Sequence, residues 1–242
     1  VPNLQDATLY CILDLGYTPE ENAESVTQSL INGGAHLLQL RAKGHDLATI
    51  RRVAEKLIPI CRAAGVPFIL NDHPALALEI GADGVHLGQD DGPLLNAERG
   101  TRNSQEKEEA SLDSSSSIPS SEFRLPNFFI TGRSTHSLAQ ARAALEEGFD
   151  YIGFGPLFPT PTKAGRPAIG LQDIVAMERE VGSKIPAFCI GGITRQTLPQ
   201  VLAAGARRVV IVSDLLQADH VEMATQAAIA GLNAECGVRN VE

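Results

Sequence analysis

No run in this chain reaches the roughly 20 consecutive apolar residues that span a bilayer, and residues 1–20 lack the basic start and apolar core of an export signal. The sequence is therefore read as soluble and cytoplasmic, with no membrane partner. There is no stripe of Lys and Arg interleaved with aromatics, and a net charge of −9 with a pI near 5.2 would repel a polyanion. Both features argue against a nucleic-acid partner. Cysteine is sparse: Cys11, Cys61, Cys189 and Cys236 stand apart, with no CxxC pair and no His spacing that would make a zinc site. Cys11 and Cys189 lie inside apolar runs, where a free thiol behaves as a small hydrophobe and not as a nucleophile.

What is present is apolar content of 43% in 242 residues, enough for one large core. Single-domain α/β barrels of roughly 250 residues are common, and one domain over residues 1–242 is the expectation. A repeat supports it. Four segments share a glycine followed by an apolar run: Gly34 to Leu40, Gly81 to Leu87, Gly148 to Phe154 and Gly205 to Val212. Each reads as a helix C-terminal glycine feeding a buried strand. Between them, apolar runs follow a proline at Pro67 to Leu70, Pro126 to Ile130 and Pro186 to Ile190, and Leu9 to Leu13 makes eight strands.

Helical patterns fill the intervals, as in Ala48, Ile50, Val53, Leu57, Ile60 and Cys61, in Leu138, Ala141 and Leu145, and in Leu198, Val201 and Leu202. Eight apolar strands alternating with helices match a closed (β/α)8 TIM barrel better than an open sheet. The longest interval holds Thr101 to Glu122, with its Ser, Glu and Lys and the serine run Ser114 to Ser117. It is too polar to bury and is expected to be a disordered insertion, 101–122, between strands 4 and 5.

In such a barrel the chemistry sits where strands end. After strand two, alternation puts Gln39, Arg41 and Lys43 on one side, and two cations with an amide suit a diphosphate. A solvated basic loop would look the same. Strand three ends in Asn71 and Asp72; Asp72, before Pro74, is also a plausible helix cap. Strand four brings Asp91 to the same face, and two neighbouring carboxylates repel unless a cation lies between them. Mg2+ suits the pair, because it takes one or two protein carboxylates and fills its other positions with water and phosphate oxygens.

Strand five is followed by Ser134, His136 and Ser137, of which Ser137 is expected to cap the next helix. After strand six, Thr160, Pro161, Thr162 and Lys163 lie on a proline-stiffened loop, so little entropy is lost when they order on an anion. Gly191 and Gly192 after strand seven and Ser213 after strand eight occupy the usual phosphate-monoester position of this fold.

The motifs QLRAK (39–43), ND (71–72), GADGVHLGQDD (81–91), GRSTHS (132–137), YIGFGPLFPTPTK (151–163), CIGGI (189–193) and VVIVS (209–213) occur in order. Together they resemble the thiamine-phosphate synthase family over nearly the whole chain apart from the serine-rich insertion. The resemblance implies a transferase of thiamine biosynthesis with two small-molecule substrates, a pyrimidine diphosphate and a thiazole phosphate. It implies that Gln39, Leu40, Arg41, Ala42, Lys43 and Asn71 hold the pyrimidine diphosphate, with Ser134 and Lys163 also on that substrate. It assigns one Mg2+ to Asp72 and Asp91, and the thiazole phosphate to Thr160, Pro161, Thr162, Gly192, Val212 and Ser213. Arg41, Lys43, Lys163 and Ser134 are the residues expected to act on the leaving pyrophosphate. Two departures stand out: Ala42 replaces a Glu that the family often carries between the two basic residues, and the insertion after Arg99 is atypical.

Two rivals remain at this stage. One is a thiazole tautomerase of the same fold, using His136 for proton transfer and needing no metal. The other is a barrel that binds a phosphorylated ligand without catalysis. A homo-oligomer is compatible with every reading.

Overall fold

The computed structural model describes residues 4–89, 91, 129–160 and 167–239. Eight parallel strands close on themselves in sequence order: β1 (Leu9–Asp14), β2 (Leu37–Arg41), β3 (Phe68–Asn71), β4 (Gly84–Leu87), β5 (Ile130–Thr135), β6 (Tyr151–Phe154), β7 (Ala187–Cys189) and β8 (Val209–Ile211). Closure is made by β8 on β1, with Leu9 opposite Val209 and Cys11 opposite Ile211. The outer helices are α1 (Ala23–Asn32), α2 (Leu47–Ala64), α3 (Pro74–Glu79), α4 (Leu138–Glu146), α5 (Ile174–Met177), α6 (Leu198–Ala203), α7 (Ser213–Leu216) and α8 (Val221–Arg239). The (β/α)8 barrel read from the repeat is the fold. The insertion 101–122 falls between β4 and β5, outside the described residues.

The four repeat glycines all lie in the left-handed region, with φ of 101° at Gly34, 70° at Gly81, 84° at Gly148 and 106° at Gly205. A side chain would strain each of these turns, so the glycines punctuate the sequence because they end helices. Side-chain caps fix two helix starts: the Asp46 carboxylate accepts the Thr49 N–H at 2.7 Å, and Ser137 accepts that of Gln140 at 3.2 Å, as expected of Ser137.

Strand alternation sorts the core into two shells. Outward residues such as Leu9, Cys11, Leu13, Leu38 and Leu40 pack under the helices against Ile50, Val53, Leu57 and Cys61. Inward residues Tyr10, Ile12, Leu37, Ile69, Ile130, Tyr151, Phe188 and Val210 fill the barrel. The rings of Tyr10, Tyr151 and Phe188 meet edge to face, their centroids 5.3–5.9 Å apart. Gly132 makes room for them, since a Cβ there would lie 2.1 Å from the Tyr151 ring. Burial pushes the Cys11 and Cys61 thiols up to about 12, consistent with packing rather than chemistry. Among the described residues no helix is long and apolar enough to cross a membrane.

The fifth strand differs from its sequence reading. It runs from Ile130 to Thr135, whereas the apolar run ends at Ile130. Polar side chains are accommodated because both faces give them partners: Thr131 Oγ1 donates to Asp150 at 2.8 Å and Thr135 Oγ1 to the Gly153 carbonyl at 3.0 Å. Arg133 and Ser134 consequently belong to the strand and not to the loop that follows it.

Candidate active site

The last turn of β2 delivers its polar residues to the mouth as alternation requires. Gln39 points inward and is only 2% exposed, its amide donating to the Tyr10 hydroxyl. Arg41 sits opposite Asp14 in the β1–β2 register and forms an ion pair with it. The pair is largely out of water, with the Arg41 side chain 16% and that of Asp14 4% exposed. The second Asp14 oxygen accepts the Gly16 N–H at 2.9 Å, so this carboxylate is held from both sides. Lys43 extends into solvent 4.0 Å from Asp72. Leu40 and Ala42 point the other way, into the shell beneath the helices. A ligand could meet them only through their main chain, and the Ala42 departure therefore leaves the mouth-facing side chains unchanged.

After β3 the chain turns through two left-handed residues, Asp72 (φ 58°) and His73 (φ 53°). Such a conformation costs about 1–3 kcal/mol per residue and is retained where it aims a side chain. The helix-cap reading of Asp72 fails, because His73 is the N-cap of α3 and no side chain caps that end. The carboxylate is instead turned to the mouth, where Asn71 Nδ2 donates to it at 2.7 Å. Burial raises the Asp72 carboxyl above its ordinary range, Lys43 opposes the rise, and Asp91 adds to it by its charge and by direct contact between the two carboxyl groups. Asp91 is itself fixed by the Gly88 N–H at 2.5 Å. Behind this segment Arg133 donates to the Gln89 carbonyl at 3.0 Å while lying over the Phe149 ring.

The two carboxylates expected to share a cation are thus in contact. Among the described residues no cluster of three or more His, Cys, Asp or Glu side chains could hold a metal. A two-carboxylate site fits Mg2+, which leaves its remaining positions to water and phosphate oxygens, and suits zinc poorly.

Across the mouth, β5 contributes Ser134, whose Oγ lies 3.0 Å from His86 Nε2. The ends of β6, β7 and β8 line a small cleft with Gly155, Pro156, Thr160, Gly191, Gly192, Ile193, Val212 and Ser213 among its walls. Gly192 has φ 66° and approaches Phe158 and Pro159 so closely that a Cβ would lie 2.7 Å from the Phe158 side chain. Only glycine fits this position, by backbone conformation and by space. Arg195 ties the β7 and β8 loops together, its Nε donating to Asp214 at 2.8 Å and its backbone N–H at 2.9 Å. Pro161, Thr162 and Lys163 lie outside the described residues.

This geometry has relatives. The family model described as thiamine monophosphate synthase matches residues 9–104 and 117–215. The chain belongs to the thiamine monophosphate synthase family. The gap between the matched stretches falls within the polar insertion, and all eight strands lie within them. A thiamine-phosphate synthase of Thermus thermophilus is 41% identical over 203 residues, covering 83% of this chain and 84% of its own. One of Mycolicibacterium smegmatis is 38% identical over 243 residues, covering 97% and 96%. Among solved structures, a thiamine phosphate pyrophosphorylase of Pyrococcus furiosus superposes with a TM-score of 0.76 at 27% identity, covering 96% of this chain and 99% of that one.

The thiamine monophosphate synthase fold also places residues here that the sequence reading missed. Asp14 holds Arg41, Arg133 braces the segment carrying Asp91, and Tyr10, Tyr151 and His86 link Gln39 to Ser134. Asp14 carried a signal in being a charge at the end of an apolar strand. The other links join residues far apart in sequence.

Proposed function

We propose that this chain transfers the hydroxymethylpyrimidine group from its diphosphate to a thiazole phosphate, forming thiamine phosphate and releasing pyrophosphate with Mg2+ bound. The observation that carries the reading is the contact between Asp72 and Asp91 beside Lys43 and the Asp14-held Arg41, in the same barrel mouth as a second cleft lined by Gly192 and Ser213. Two anionic substrates need two such sites. Asp72 and Asp91 would hold Mg2+, which when bound neutralises diphosphate charge and stabilises the leaving group.

The chain's own residues supply the rest of a dissociative path. The bond between the pyrimidine methylene carbon and the diphosphate oxygen breaks, and pyrophosphate leaves with the electron pair. Arg41, Lys43 and Lys163 meet the charge that develops on it, and Ser134 hydrogen-bonds to it. The thiazole nitrogen then gives its lone pair to the methylene carbon, closing the new C–N bond. That nitrogen carries no proton, so the cleft has only to position the thiazole, and no general base is required. Gly192, Thr160, Thr162, Val212 and Ser213 would seat its phosphate and ring, with Pro161 stiffening the loop.

The test is pyrophosphate release with both substrates and Mg2+. Release should need all three and stop on chelation, and Asp91→Ala should lose more than about a hundredfold in turnover while keeping its fold. Isomerisation of a thiazole phosphate that survives chelation would favour the tautomerase, and ligand binding without any pyrophosphate release would leave a non-catalytic barrel.

A further inference from the structure

Tyr10 and Tyr151 carry hydroxyls into the barrel interior and are both fully buried. A continuous hydrogen-bonded chain runs through them: from the Gln39 amide to Tyr10 Oη, 2.9 Å to Tyr151 Oη, 3.1 Å to His86 Nδ1, and from His86 Nε2 3.0 Å to Ser134 Oγ. Its ends are Gln39 and Ser134, both assigned above to the pyrimidine diphosphate.

Donor bookkeeping gives the chain a direction. Among the described residues Tyr10 Oη meets the Gln39 amide nitrogen and Tyr151 Oη. The amide nitrogen can only donate, so the Tyr10 proton goes to Tyr151. The Tyr151 proton then goes to His86 Nδ1, which must be unprotonated to accept it. The imidazole proton is left on Nε2, directed at Ser134 Oγ, and a hydroxyl that accepts from His86 turns its own proton elsewhere. Burial raises both phenols, so neither gives up the proton this arrangement needs. Reversing the Gln39 amide would reverse each proton in turn, so that Ser134 would donate to His86 Nε2 and hold no proton for the ligand.

We propose that Tyr10, Tyr151 and His86 are positioning residues forming a relay that holds His86 as its Nε2–H tautomer, so that Ser134 presents its proton to the departing diphosphate. Recognition of the pyrimidine diphosphate at Gln39 is thereby coupled to the hydrogen bond made at the leaving group. The inference rests on the diphosphate-transfer reading above for its consequence, and not for its existence.

Protein carrying 15N-labelled histidine, at about pH 8 where histidine is ordinarily neutral, reports the tautomer directly, with His86→Gln assigning the signal. The expected resting state is Nε2–H, shifting toward Nδ1–H or a mixture in Tyr151→Phe. In turnover, Tyr151→Phe should lower kcat/KM for the pyrimidine diphosphate about tenfold and leave KM for the thiazole phosphate unchanged. Ser134→Ala should cost much less in the Tyr151→Phe background than in the parent. Tyr10→Phe, which removes an earlier link, should reproduce both effects if Tyr151→Phe folds poorly. An Nδ1–H tautomer in the parent protein, or additive losses for Tyr151→Phe and Ser134→Ala with the tautomer unchanged, overturns the relay. If the parent releases no pyrophosphate the functional reading falls, and the tautomer measurement alone decides the relay.

Discussion

Replacing Asp14 with Asn should cost both stability and substrate affinity, although it removes no group that meets the substrate. One Asp14 oxygen accepts the Gly16 N–H and the other the Arg41 guanidinium. Asparagine matches the shape but has one oxygen and one NH2 group. If its oxygen serves Gly16, its NH2 faces the guanidinium; if its oxygen serves Arg41, its NH2 faces the Gly16 N–H. Either orientation sets donor against donor in a place where the Asp14 side chain is 4% exposed. Losing a charge-assisted hydrogen bond costs about 1.5–3 kcal/mol, and removing one partner of a buried pair costs about 3–5 kcal/mol. Because the Arg41 side chain keeps 16% exposure, the low end applies, about 3 kcal/mol. In a domain of this size that lowers Tm by roughly 6–12 °C. With Arg41 no longer fixed, kcat/KM for the diphosphate substrate should fall about tenfold. Urea and thermal unfolding measure the first effect and pyrophosphate release the second. In an Arg41→Ala background Asp14→Asn should add little further loss of activity. A variant that melts within about 1 °C of the parent and keeps its KM would refute the claim that Asp14 holds Arg41.

Gly132→Ala places a Cβ 2.1 Å from the Tyr151 ring inside the barrel, and forcing that ring aside should cost about 1–3 kcal/mol in a urea melt; parental stability would mean that the interior is looser than its contacts indicate. Asp46→Ala should show a pH-dependent penalty, because the Thr49 backbone N–H holds the Asp46 carboxyl below its ordinary range. A depressed carboxylate contributes fully above its unfolded value of about 3.9 and loses that contribution as pH falls through its lower folded value. The stability gap between parent and variant should therefore stay level from about pH 7 to 5 and shrink only below about 4; a gap unchanged in acid would assign the effect to something other than the cap.

Much of the barrel was legible because its signals are local. Gly34, Gly81, Gly148 and Gly205 mark helix ends whatever the tertiary context, since their left-handed turns exclude other residues on steric grounds. Mouth-facing residues were legible for a similar reason: the period of a strand puts Gln39, Arg41 and Lys43 on one side, and the structure leaves Leu40 and Ala42 on the other. The fifth strand was misread at its far end because Thr131, Arg133 and Thr135 look like a loop until Asp150, Gln89 and Gly153 supply their partners. Asp72 was ambiguous for a converse reason. Its position before Pro74 fits a cap, and only its left-handed backbone, which passes the cap to His73, turns the carboxylate toward Asp91.

What remained hidden shares one property: each missing part is a contact between strands that periodicity treats separately. Within β4 alternation puts His86 on the same face as Gly84, and within β6 it puts Tyr151 with Gly153, but neither strand says what the polar tip will meet. The meeting is settled by the register of closure, which sets His86 beside Gly132 across one seam and Gly132 beside Tyr151 across the next. Gly132 lies between them in that register, and its missing side chain lets the Tyr151 phenol reach the His86 ring. One glycine in an unremarkable motif thus determines whether two distant polar residues can join. The sequence displays that glycine plainly, while its purpose exists only in the closed barrel.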